Sequence, residues 1–181
     1  MGIEVEPLMP ILEQLESNTK VALENINKIL KNCRKVGIRP IHIRIQSLLS
    51  DAKDTGVLHS SAGMYYPPGC TASEFCDEAM PLENEIVLNK TCSGIVVGTP
   101  IDRILRNLGI KNVVVTGFYT DQCVSTSVRD LADLGYKVDM IEDAMAAMSQ
   151  ERHDKALQSI KYIYANCEKP QELIERLEQL N

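Results

Sequence analysis

Residues 112–124 read Asn-Val-Val-Val-Thr-Gly-Phe-Tyr-Thr-Asp-Gln-Cys-Val. An unbroken β-branched run of this kind is the pattern of a strand buried on both faces. Gly117 ends it, and Thr120 to Leu134 reads as the helix that follows, closed by Gly135. A buried strand that passes through a glycine turn into a helix is half of a βαβ unit, and it places Cys123 in or near the first helical turn.

The same alternation continues on both sides. Downstream, Lys137-Val-Asp-Met-Ile is a strand, a helix is predicted from about Ser149 to Ser159, a last strand around Tyr162 to Asn166, and a terminal helix from Pro170 to Leu180. Upstream, Glu85-Ile-Val-Leu is a strand leading into Lys90. Thr99 to Leu108 follows as a helix, with Pro100 in its first turn and Gly109 at its end. Pro40 to Ile45 is a short strand, and Thr19 to Val36 a helix whose apolar residues Val21, Ala22, Ile26, Ile29, Leu30 and Cys33 share a face. Only Gln46 to Pro81 lacks periodicity and reads as a long loop, a feature that usually carries function in compact domains. Strands alternating with helices imply a three-layer α/β/α, Rossmann-like domain with a mostly parallel sheet. Ligands bind such sheets at the carboxyl ends of the strands, where Lys90 and Cys123 both fall.

With 181 residues and 44% hydrophobic composition, the chain is long enough for one core and short for two typical domains, so residues 1–181 are read as one. A net charge of -6 offers no footprint for nucleic acid or anionic membrane. No apolar stretch is long enough to span a bilayer, and the start Met-Gly-Ile-Glu-Val-Glu lacks the regions of a secretory signal. A soluble, cytoplasmic protein is expected. Six cysteines without paired C-x-x-C spacing fit neither a disulfide scaffold nor a zinc knuckle, and no G-x-G-x-x-G or P-loop follows any predicted strand.

A thiol at a helix start is favoured as thiolate by the free N–H groups and the positive end of the helix dipole, and the same N–H groups can hold an oxyanion. A buried cysteine is also an ordinary small core residue, and a lysine such as Lys90 is by default a solvated surface residue. Cys33, Cys76 and Cys167 are read as packing residues. Cys70 and Cys92, flanked by turn residues, are the two others that could line a cleft.

Gly117-Phe-Tyr-Thr-Asp-Gln-Cys-Val, followed by Arg129-Asp-Leu-Ala-Asp-Leu-Gly-Tyr-Lys-Val and Glu142-Asp-Ala, resembles the nucleophile region of the isochorismatase-like cysteine hydrolases. Ile86-Val-Leu-Asn-Lys-Thr-Cys-Ser-Gly resembles that family's lysine motif, Gly98-Thr-Pro-Ile-Asp-Arg its following helix, and Glu151-Arg-His a recurring later segment. The loop from Gly56 to Cys70 looks closest to ureidoacrylate and biuret-type amidohydrolases. The resemblance implies the isochorismatase-like hydrolase fold, with Cys123 as nucleophile and Lys90 as catalytic lysine. It also implies a cis peptide before Tyr119, an oxyanion hole of the Tyr119 and Cys123 N–H groups, and Tyr119 and Thr120 against the substrate. The substrate would be a small amide or ureido compound, hydrolysed through a thioester acyl-enzyme without metal or cofactor, in a homo-oligomer.

The family's catalytic aspartate, at the end of a first strand resembling Val-Ile-Asp-Met-Gln, has no counterpart: Met1 to Ser17 contains no aspartate, and Glu4, Glu6 and Glu13 have no predicted strand to present them. Three readings follow: a sequence lacking residues ahead of its first helix, a scaffold kept as a ligand-binding or assembly module, or an acid supplied by another residue or subunit. Tyr119 is bulkier than the small aliphatic residue usual at its position and should narrow the pocket. The D-x-H cluster of the zinc-binding relatives is absent, and His153 is read as a structural contact.

Overall fold

A computed structural model describes residues 9–180. Its elements alternate as the pattern demands: α1 (Met9–Lys35), β1 (Ile41–Ile45), α2 (Val57–Ser61), β2 (Ile86–Lys90), α3 (Ile95–Gly98), α4 (Ile101–Asn107), β3 (Asn112–Phe118), a π-helical turn (Thr120–Val124), α5 (Ser125–Asp133), β4 (Lys137–Ala146), α6 (Gln150–Ile160), β5 (Asn166–Glu168) and α7 (Pro170–Glu178). All strand pairs are parallel.

The sheet is in two parts. β1 pairs with β2 in register from Ile41↔Ile86 to Ile45↔Lys90, and β3, β4 and β5 form a separate three-stranded sheet in that order. Among the described residues no strand joins β1 to β3. The strand that the family resemblance places ahead of the first helix is not among them, and Glu4 and Glu6 lie outside them.

Helices α4, α5 and α6 cover one face of β3–β4, where Leu105, Val128, Leu131, Met140 and Ile160 form the main core. Ile41 and Leu88 of the two-stranded sheet pack on its border. On the other face α1 sets Ile26 and Ile29 against Ile141, Ala144 and the α7 residues Leu173 and Leu177. Gly37 ends α1 with φ +75, a left-handed position open to glycine at no steric cost, and the Ile38 N–H returns to the Cys33 carbonyl at 2.9 Å.

Four sequence expectations shift. The helix predicted from Thr19 begins at Met9. The loop from Gln46 to Pro81 contains α2 and two 3₁₀ turns at Thr71–Ser73 and Asp77–Ala79. The helix predicted from Thr120 opens with the π-helical turn and becomes α-helical only at Ser125. The last strand moves from 162–166 to 166–168. Residues 161–165 form a turn instead, with Tyr162 at φ +71 and its N–H bonded to the Ala165 carbonyl, which leaves Tyr162 and Ile163 exposed.

Candidate active site

Lys90 is the last residue of β2, and Cys123 sits in the π-helical turn just beyond β3. Although β2 and β3 belong to separate sheets, Lys90 Nζ lies 3.4 Å from Cys123 Sγ. The lysine is 5% exposed, and its ammonium also donates to the Cys92 carbonyl at 2.7 Å. No carboxylate among the described residues pairs with it.

The lysine's pocket is close-packed. A Cβ on Gly98 would meet Cys92 Sγ at 2.5 Å and Lys90 Cβ at 3.1 Å, so only glycine lets α3 approach the end of β2 this closely. Of the two cysteines flanked by turn residues, Cys92 is the one beside the site, and its thiol donates to the Gly94 carbonyl at 3.3 Å.

The turn that carries Cys123 is shaped by its backbone. The Phe118–Tyr119 peptide is cis, as the resemblance implies, and the Tyr119 carbonyl accepts from both the Gln122 and the Val124 N–H. Behind it, the Ser127 hydroxyl donates to the Cys123 carbonyl at 2.6 Å and accepts from the Ile95 N–H at 3.2 Å. This ties the thiol's backbone to the segment that follows Lys90. Tyr119 is half-buried beside the site. Thr120 is fully buried, with its hydroxyl 2.8 Å from His153 Nδ1. Its side chain therefore reaches α6 through this contact.

Sequence reading missed three contributors. Ser127 and Asp121, the latter ion-paired with Arg152 at 2.5 Å, are polar residues on a helix start that no local pattern separates from solvated ones. His59 of α2 is buried, and burial together with the nearby Lys90 charge pushes its ring below the usual histidine range. Its Nδ1 has no partner among the described residues. His59 lies in the aperiodic loop, so only the tertiary structure brings it near Lys90. Among the described residues no group of three or more histidine, cysteine or carboxylate side chains is placed to hold a metal ion.

The Isochorismatase domain family matches residues 11–171. An isochorismatase family protein of Bacillus subtilis, YrdC, is 32% identical over 132 residues, 73% of this chain and 64% of the relative, so the chain spans a little under two thirds of that protein. A ureidoacrylate amidohydrolase of Klebsiella pneumoniae is 41% identical over 71 residues, 39% of this chain and 30% of the enzyme. A cysteine hydrolase from Pseudomonas syringae superposes with a TM-score of 0.84 at 23% identity, over 91% of this chain and 83% of the other. With the family matched along most of its length and the parallel α/β architecture shared, the chain belongs to the isochorismatase family.

Proposed function

We propose that the protein is a cysteine-dependent hydrolase of a small amide or ureido C–N bond, and the observation that carries this is the 3.4 Å contact between Lys90 Nζ and Cys123 Sγ at the carboxyl ends of β2 and β3. The Cys123 thiolate attacks the substrate carbonyl carbon, and the carbonyl electron pair moves to oxygen, where the Tyr119 and Cys123 backbone N–H groups receive it. The C–N bond then breaks as the Lys90 ammonium gives the departing nitrogen a proton, ammonia or an amine leaves, and a thioester remains on Cys123. Water then attacks the thioester carbonyl, returns one proton to Lys90, releases the acyl group as its acid and restores the Cys123 thiolate. Lys90 holds negative charge on sulfur before attack and stands beside the leaving nitrogen. The ureido preference is supported by the similarity to the Klebsiella amidohydrolase.

The site gives the thiol's proton no carboxylate acceptor among the described residues, and this favours a second reading, a family member that binds a ligand or partner without turnover. Ammonia release from a panel of small amides and ureido compounds separates the two, with Cys123→Ala as control and with a version extended by any upstream coding sequence. Turnover by either version that the control lacks supports the hydrolase. Inert proteins whose Cys123 also fails to alkylate selectively at pH 7 leave the binding module.

A further inference from the structure

We propose that Arg152 and His153, consecutive residues in the first turns of α6, act as a two-point clamp that positions the nucleophile turn; this rests on the reading of Cys123 as the nucleophile. The turn presents two consecutive side chains, Thr120 and Asp121, and α6 meets each with one partner. His153 Nδ1 lies 2.8 Å from the Thr120 hydroxyl, in a contact where the threonine is fully buried and the histidine 8% exposed. The Arg152 guanidinium meets Asp121 Oδ2 at 2.5 Å. Asp121 Oδ1 is buried without a partner among the described residues, so Arg152 is the charge that orients this carboxylate.

The clamp has a fixed base. Ser149 caps α6 by accepting from the Arg152 N–H at 3.3 Å, and Ala156 and Ile160 bury the same helix face as His153. Ser127, from α5, holds the Cys123 carbonyl at 2.6 Å. Cys123 is thus set between two supports, one reaching it through Thr120 and Asp121 and one through its own backbone. Neither Arg152 nor His153 touches the sulfur, so their contribution is to keep Sγ at Lys90 Nζ and the turn's N–H groups aimed at one point, where a small displacement weakens the chemistry steeply.

The alkylation rate of Cys123 by iodoacetamide at pH 7, followed by mass spectrometry, tests this independently of any substrate. His153→Leu removes the hydrogen bond and is expected to slow alkylation and to lower kcat about tenfold with KM little changed. His153→Asn, whose amide nitrogen can take the place of Nδ1, is expected to recover to within about threefold. Arg152→Gln alters a half-exposed side chain that leaves folding intact, and about a threefold loss is expected. Urea midpoints run alongside. Wild-type alkylation rates in His153→Leu and Arg152→Gln would overturn the clamp, whatever their stability, while leaving the nucleophile assignment standing. A wild-type Cys123 that does not alkylate selectively would remove both.

Discussion

The three-stranded and two-stranded sheets are held by different forces. Around β3–β5 the cohesion is apolar: Val128, Leu131, Met140, Ile141 and Ile160 are sealed from water between helices on both faces. Around β1–β2 much of it is polar. Glu85, its side chain 4% exposed, accepts from Arg34 and sits 2.8 Å from His42 Nε2, joining the end of α1 to the starts of both strands. Further along, Arg44 reaches Asn89, Gln46 and Glu74 and lies over the Phe75 ring. Cys123 stands at the end of the apolar part and Lys90 at the end of the polar one. The distance between them is therefore set by two kinds of interaction with different responses to acid and to mutation.

The sharpest way to separate the two contributions is to remove each of the two proposed catalytic groups in turn. Cys123→Ala and Lys90→Met should each lower turnover by roughly 10³-fold or more, read as ammonia release, with folding retained. Leu131→Ala, in the apolar part, should cost about 2–5 kcal/mol in urea unfolding. Glu85→Gln, in the polar part, should cost on the order of 3 kcal/mol, because it leaves Arg34 and His42 without the carboxylate that pairs them.

The pH dependence of the polar part follows from the Glu85 carboxyl, which the Arg34 guanidinium holds at about 2, below its ordinary 4.5. Folding lowers this value, so the stability it contributes is complete above roughly pH 5 and fades as pH falls toward 2. Acid titration of the wild type should loosen β1–β2 before β3–β5, and Glu85→Gln should lose that acid-dependent step. The smallest expected effect is at the exposed Lys155–Glu151 pair of α6, where Lys155→Ala should leave the urea midpoint at its wild-type value, because solvent screens the pair. A large loss there would show that α6 depends on its outer face.

The alternation of strands and helices was legible because β-branched runs such as Val113–Val115 and glycine stops such as Gly109 and Gly135 are local signals. The meeting of Lys90 and Cys123 was legible too, since parallel strands deliver their carboxyl ends to one edge. The Thr120–His153 contact gave no local signal, because a helix-start threonine looks alike whether it faces solvent or a buried histidine 33 positions away. His59 gave no signal because α2 is a five-residue helix within aperiodic sequence, and its burial near Lys90 is a tertiary contact. The strand expected at Tyr162 failed for another reason: an apolar run of suitable composition becomes a turn when Tyr162 takes a left-handed conformation.

Among the described residues, β1 and β3 each pair on one side only. Along such a strand, amide protons alternate between the paired and unpaired sides. Deuterium uptake should therefore advance in an every-second-residue rhythm through Ile41–Ile45 and Val113–Val115, while a strand paired on both sides, such as β4 where it meets β3 and β5, stays protonated throughout. A ligand, subunit or added segment that closes either edge would silence that rhythm, so the isotope pattern itself reports when the protein's two sheets have acquired a neighbour.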